Sequence, residues 1–434
     1  MTVAAAVGVL PRRMAGWAAR QSLAPNALTG IGLACSICAA AWFSAGTKSS
    51  AVAGGLALLG GYLARRIGVQ VAAAGGPEAA ARGPEAAARG LEAAAPGTVA
   101  AARADLPILA PFEAWLAGVG AAAGELVVYA GLAAGASASQ RHSTWMLATD
   151  AAIMLSIGHV ARLFRPGRAG APPPRSWLPQ AVNWLLTLPM GERTAVIAVT
   201  APLWGARTTF LALIAWGAVA AGWAVISGGR TWGARPDARL AGLSGIAARR
   251  DDGPVARLAG QIVRGQLVPL PPALAGLAAA VLLVALGLGN LTGILLLAPV
   301  AAMLLAAPGA GHPHDGRLDW LVPLVLQAGQ YIYLAALGFS VHVPGPVTFA
   351  LISVVALRQL DVAFRAQQQT GWPAQPAGLG WDGRIIAVAF AAMLGLVTFA
   401  YLALTAYLGW LLCRVSLSGW LAPREPDISR GERR

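Results

Sequence analysis

Apolar stretches of about 18 residues or more recur along this chain, and they constrain its fold more than any other feature. Each stretch is long enough to cross a hydrocarbon core of roughly 30 Å as a helix. Within lipid, only helices and closed barrels satisfy their own backbone hydrogen bonds, and these runs are continuous rather than alternating. We therefore predict an all-α polytopic membrane protein.

The composition excludes an ordinary soluble protein of this size. Of the 434 residues, 57% are hydrophobic and only 12% are charged, which is too little charge to cover a water-exposed surface. Cys35, Cys38 and Cys413 all lie in apolar segments, and no second cysteine pair accompanies the first two. The cysteines therefore indicate neither a zinc site nor a disulfide framework.

The net charge of +14 comes almost entirely from arginine, since Lys48 is the only lysine. Such a charge could indicate nucleic-acid binding, but the arginines sit in the loops between apolar runs, as the positive-inside rule describes. We expect membrane lipids as partners, and no nucleic acid. The alternation of arginine-rich and arginine-poor loops predicts a multi-pass protein of the cell (plasma) membrane with cytoplasmic N- and C-termini.

The apolar runs divide into two groups separated by a polar, arginine-rich stretch. We predict about 12 transmembrane helices (10–12) in two six-helix halves. Three near-identical heptads, covering Gly76–Pro96, mark a low-complexity insert in the first half. The predicted units are a membrane domain at 1–228 with the insert at 73–104, a basic cytoplasmic linker at 229–268, a second membrane domain at 269–422 and a polar tail at 423–434.

The two halves resemble each other at two points in the same helix order. Ala114-Trp115-Leu116 parallels Asp319-Trp320-Leu321, and each precedes a long apolar helix. Gly191-Glu-Arg193 parallels Asp382-Gly-Arg384 at the start of a later helix. These matches predict an internal duplication, with two unrelated apolar halves as the alternative.

Three short motifs in the first half occur in an order found in a known family. They are Pro25-Asn26-Ala27-Leu28-Thr29, then Gly61-Tyr62-Leu63-Ala64-Arg65, then Ala114-Trp115-Leu116 before a helix with Glu125 and Tyr129. Over roughly residues 10–228 the chain thus resembles the CDP-alcohol phosphotransferases (CDP-alcohol phosphatidyltransferases). The second half resembles the uncharacterised membrane domain found fused to actinobacterial members. The resemblance implies a six-helix fold, phospholipid chemistry and a possible homodimer.

The chain departs from this family at the residues that perform its chemistry. The family's signature reads Asp-x-x-Asp-Gly-x-x-Ala-Arg, followed by Gly-x-x-x-Asp-x-x-x-Asp, and its aspartates hold the divalent metals that neutralise a diphosphate. Gly61, Ala64 and Arg65 match, but the four aspartate positions fall on Ala57, Gly60, Ala117 and Ala121. Glu125 lies on the third helix without a second carboxylate at the motif spacing.

We therefore expect a degenerate member of the family, a pseudoenzyme with no catalytic residues and no cofactor. One alternative is an active phosphotransferase of phospholipid or polyprenol-phosphate metabolism, which would need Mg²⁺ or Mn²⁺. A transporter built on a parallel repeat is a third possibility, but few polar residues interrupt the apolar runs.

Two further sets of residues are candidate binding sites. By resemblance, an arginine near the start of the fifth helix forms an anion pocket, so Arg65, Arg193 and Arg384 are candidate ligands for a phosphate or a lipid headgroup. His312, His314, Asp315 and Asp319 cluster before an apolar run and could bind a divalent metal, since both residue types are suitable ligands. The alternative for this second set is a polar turn at the membrane interface.

Overall fold

The computed structural model describes residues 25–74, 115–163, 190–231, 250–286, 296–312, 318–368 and 378–421. These residues form helices joined by turns, and no strand occurs within these ranges. The predicted all-α fold is therefore confirmed for this part of the chain. Most of the predicted insert at 73–104, much of the linker and the tail at 423–434 lie outside the described residues.

The first half contains five helical elements over its described ranges. They are α1 (Pro25–Ser44), α2 (Lys48–Ala74), α3 (Ala121–Ala134), α4 (Arg141–Leu163) and α5 (Met190–Thr231). A π-helical turn, Leu116–Gly120, leads directly into α3. Helix α5 consists of two helical segments that meet at Gly205. This residue has φ 82° and ψ 176°, a backbone conformation that glycine adopts without steric cost.

The second half begins with a short helix and continues with six more. They are α6 (Pro254–Val263), α7 (Leu270–Ala285), α8 (Ala298–Leu304), α9 (Val322–Ser340), α10 (Gly345–Gln368), α11 (Gly380–Met393) and α12 (Val397–Leu421). Two 3₁₀ turns, Ala307–Gly311 and Asp319–Leu321, lie between α8 and α9. Gly395, with φ 70°, separates α11 from α12.

Six helical segments of the described chain are long and apolar enough to cross a membrane. They are Ala27–Ser44, Arg141–Ala161, Arg193–Ala224, Asp319–Ser340, Gly345–Arg365 and Val397–Arg414. Large apolar side chains such as Leu56, Trp204 and Phe399 are exposed on the outer faces of the helices, as contact with lipid allows. This architecture indicates a membrane protein.

Helices α4 and α10 pack against each other and join the two halves. At this contact the rings of Trp145 and Phe349 lie 5.5 Å apart. Nearby, Trp115 Nε1 of the first half donates a 2.8 Å hydrogen bond to the buried carboxylate of Asp361 in the second half. Trp115 and Trp320, the pair matched between the halves by sequence, belong to the same buried cluster.

The breaks at Gly205 and Gly395 extend the resemblance between the halves. Each glycine has a positive φ and follows the matched arginine, Arg193 or Arg384, at nearly the same spacing. In both halves an apolar rod that starts near the arginine therefore turns at a glycine and continues as a second rod. The two halves thus share a glycine break after the matched arginine, and the internal duplication stays a prediction.

Candidate functional site

A small cavity lies where α1, α2, α3 and α5 meet, and it has room for about one water molecule. Half of its lining residues are apolar, and the other half supply two charged side chains and two hydroxyl groups. The lining residues are Ser36, Leu58, Arg65, Ala121, Glu125, Val128, Thr194 and Ile197. This cavity, which we call the first-half cavity, contains Arg65 and Ala121, two of the positions that the sequence comparison with the phosphotransferases singles out.

Arg65 reaches from α2 across to α1. Its Nη1 donates to the carbonyl oxygen of Gly32 at 3.0 Å and to Ser36 Oγ at 3.2 Å. The close approach of the two helices depends on Gly61, since a Cβ there would lie 2.7 Å from Cβ of Cys35. Small residues at such crossings allow helix backbones to approach within a membrane. Gly61 and Arg65 thus hold α1 against α2.

Glu125 is the carboxylate of the first-half cavity, and its charge is already compensated. Its Oε1 lies 2.8 Å from Arg193 Nε, in an ion pair whose N–H is not aligned as a hydrogen bond, and it accepts a 2.7 Å hydrogen bond from the Tyr129 hydroxyl. Glu125 is 8% exposed and Arg193 is 3% exposed. Arg193 Nη2 also lies 3.4 Å from His159 Nε2. Two buried groups of opposite charge therefore neutralise each other.

The positions compared with the phosphotransferase signature are only partly brought together around the first-half cavity. Ala121 lines the first-half cavity beside Arg65. Ala57 and Ala64 are half-buried, whereas Gly60 is exposed, with nothing within 4 Å of where its Cβ would lie. The backbone of Ala117 lies in the π-helical turn before α3, and its side chain is outside the described set.

Arg384, the candidate anion ligand of the second half, is also engaged. Its Nη2 forms an ion pair with Asp251, and its Nε donates to the carbonyl oxygen of Gly380 at 2.7 Å. Arg384 is fully buried, so Asp251 supplies the counter-charge that such a guanidinium needs. Asp251 lies in the predicted basic linker, which is thus tied to the start of α11.

The neighbouring residues complete a polar network that we call the clasp. Its members are Arg250, Asp251, Asp252, Asp382 and Arg384. Asp382 accepts backbone N–H groups of Gly253 at 2.6 Å, Val255 at 2.9 Å and Ala256 at 3.0 Å, and so caps the N-terminus of α6. Arg250 Nε donates to Asp252 at 2.8 Å. The clasp therefore fixes α6 against α11.

The candidate metal cluster of the second half is described only in part. His312 Nδ1 lies 3.9 Å from Asp319 Oδ2, while His314 and Asp315 fall outside the described residues. Within the described ranges, no group of three or more His, Cys, Asp or Glu side chains could hold a metal ion. The two side chains thus lie near each other, beyond hydrogen-bond distance, beside the start of α9.

The pair formed by Glu125 and Arg193 is the feature that sequence reasoning missed. The available signal was the position of Glu125 in an apolar helix, because a carboxylate buried there requires a cation partner. Arg193, at the start of α5, was singled out for a different role. The contact between Glu125 and Arg193 cannot be predicted from their spacing along the chain, because α4 and its flanking loops separate the two residues.

Comparison with known proteins yields one similarity. Residues 239–431 match a family of unknown function, DUF5941. Searches of curated proteins and of solved structures gave no match. The matched stretch includes the clasp and Asp361, whereas Arg65, Glu125 and Arg193 lie before it. The part of the chain from the basic linker to the tail is therefore similar to a unit that other proteins share.

Proposed function

We propose that this chain is a multi-pass cell-membrane protein on a scaffold like that of the CDP-alcohol phosphotransferases, and that it lacks their phosphotransfer activity. The arginine-rich loops support a cytoplasmic location for both termini and for the linker. The proposal includes about 12 spans (10–12), and the six long segments and three shorter apolar helices of the described ranges account for nine of them.

The observation that carries this proposal is the state of Glu125. A pair of divalent metals needs several carboxylate oxygens free to coordinate. In the first-half cavity, Ala121 stands at the position of a motif aspartate, and Oε1 of Glu125 is held by Arg193 and Tyr129. A guanidinium cation 2.8 Å from the carboxylate would repel a divalent metal there.

The proposed partner is a membrane lipid. Of the three candidate arginines, Arg193 and Arg384 are ion-paired to carboxylates. Arg65, at the cavity, has backbone and hydroxyl partners and forms no ion pair within the described ranges. Arg65 is therefore the best placed of the three to meet an anionic headgroup. The family resemblance adds a homodimer to this proposal.

Measurement of CMP release tests the absence of activity. The full chain, purified into lipid nanodiscs, is incubated with CDP-linked alcohols in the presence of Mg²⁺ or Mn²⁺. We expect CMP release no faster than in protein-free nanodiscs, because the described ranges hold no group of three or more carboxylate, histidine or cysteine side chains that could bind the metals. An active member of the phosphotransferase family in the same nanodiscs serves as the positive control.

Metal-dependent turnover by this chain would overturn the proposal. The variant Asp319→Asn then locates the chemistry, since its loss of turnover would favour a phosphotransferase with its site in the second half. Retention of turnover by that variant, with loss in Glu125→Gln, would instead assign the metals to the first-half cavity.

A further inference from the structure

Helix α6 presents three distinct faces around its axis. At about 100° per residue, Ala256 and Gly260 fall on one face, Val255, Leu258 and Ile262 on a second, and the polar residues on a third. The polar face carries Arg257, Gln261 and Arg264 at its end, all exposed. The helix contains no acidic residue.

The first face is fixed against the protein. Ala256 and Gly260 are buried, and a Cβ on Gly260 would lie 2.6 Å from the backbone nitrogen of Gly311 in the 3₁₀ turn after α8. Asp382 caps the N-terminus of α6 from the other side. The rotation of α6 about its axis is therefore set by these contacts, and with it the direction of the other two faces.

The second face is apolar and exposed. Val255 is 38% exposed, Leu258 59% and Ile262 71%. In the loop that follows, Leu267 is 47% and Val268 55% exposed. A single exposed leucine is ordinary on a protein surface, but five large apolar side chains exposed on one short helix and the loop after it favour an apolar environment.

We propose that α6 lies in the plane of the membrane interface, with Val255, Leu258 and Ile262 in the boundary of the acyl chains and Arg257 and Arg264 at anionic lipid headgroups. A helix with separate apolar and arginine-bearing faces has the amphipathic pattern of interfacial helices. The guanidinium groups complement the negative surface of the cytoplasmic leaflet, and long arginine side chains extend toward headgroups.

Chain continuity favours lipid over a protein partner as the occupant of this face. Along the chain, the exposed Leu267 and Val268 lead directly into α7, which starts at Leu270 and is apolar on all sides. A chain that leaves α6 therefore enters the apolar α7 within one short loop. This short connection favours lipid as the occupant of the apolar face of α6.

Spin-label accessibility in nanodiscs tests the placement of α6. Cys35, Cys38 and Cys413 are replaced by alanine, and single cysteines are introduced by Leu258→Cys, Ile262→Cys and, as the matched control on the polar face, Gln261→Cys. In bilayers of equal parts phosphatidylcholine and phosphatidylglycerol, oxygen should relax the labels at 258 and 262 more than a water-soluble nickel chelate does. The label at 261 should show the reverse.

Two outcomes would overturn the proposal. One is greater accessibility to nickel than to oxygen at all three sites. The other is protection of the labels at 258 and 262 from both reagents, which would indicate that a protein covers this face.

The role of the arginines is tested by lipid charge. With the label at 262, the oxygen-to-nickel ratio should be higher in the anionic bilayers than in phosphatidylcholine alone. The double variant Arg257→Gln, Arg264→Gln should lose that difference. In this double variant the label at 262 should still be less accessible to nickel than a label at 261, which would show that α6 keeps its two faces. An equal ratio in both bilayers for the parent chain would contradict the proposed contact with anionic lipid.

Discussion

Glu125→Ala should lower the free energy of unfolding by about 3–5 kcal/mol, because it leaves a buried guanidinium without its counter-charge. Arg193 is 3% exposed, so water solvates its guanidinium poorly once the carboxylate is gone. The same change also removes the acceptor of the Tyr129 hydroxyl. Thermal or denaturant-induced unfolding in detergent micelles, compared with the parent chain, measures the loss.

A double variant distinguishes this electrostatic cause from simple loss of packing. Glu125→Leu combined with Arg193→Met replaces the pair by apolar side chains of similar length, and such replacements are often neutral or stabilising. We expect the double variant to recover most of the stability that Glu125→Ala loses. A single variant as stable as the parent would show that the pair carries little energy.

Asp382→Ala should release α6 from α11, at a cost of roughly 2–4 kcal/mol. This exceeds the ~1 kcal/mol of an ordinary cap, because the buried carboxylate accepts three backbone N–H groups and the variant leaves them without a partner. Hydrogen exchange followed by mass spectrometry should show faster exchange over residues 253–263, with little change in α9 and α10.

Asp382→Asn is the matched variant, since it keeps the shape of the side chain and one acceptor oxygen. The remaining oxygen can still accept some of the backbone N–H groups, while the amide NH₂ would face the others. We therefore expect a loss of stability that is real but smaller than that of the alanine variant. Unchanged exchange protection of α6 in Asp382→Ala would contradict the role of the clasp.

The positions of the apolar helices could be predicted from the sequence, because the length and continuity of an apolar run are local properties. The apolar stretch at 385–413 predicts two short helices, and the break at Gly395 confirms that division. The stretch at 291–307 reads as one run, and within its described part α8 covers Ala298–Leu304 and ends before a 3₁₀ turn. Pro308 and the glycines beside it explain this ending, since proline cannot continue the hydrogen bonding of an α-helix.

For the candidate site, the sequence predicted which charged residues matter but not which of them contact each other. Arg65, Arg193 and Arg384 stand out as charges beside or within apolar runs, and all three are at least partly buried. Their partners lie on other elements, and Asp251 is separated from Arg384 by 133 positions along the chain. Which carboxylate meets which guanidinium is decided by how the helices pack, and a single sequence does not record that packing.

The pairing of Glu125 with Arg193 has a consequence for how the chain enters the bilayer during synthesis. The glutamate emerges first on α3, and its counter-charge follows on α5, after α4 has been made. An uncompensated carboxylate resists transfer into hydrocarbon, so we expect α3 to remain at the insertion machinery until α5 arrives.

A chain truncated before Met190 should insert α3 inefficiently, and Glu125→Leu in the same truncated chain should restore insertion. Glycosylation of an engineered acceptor site beside α3 would measure the inserted fraction. Efficient insertion of α3 in the truncated parent chain would show that its charge is accommodated without α5.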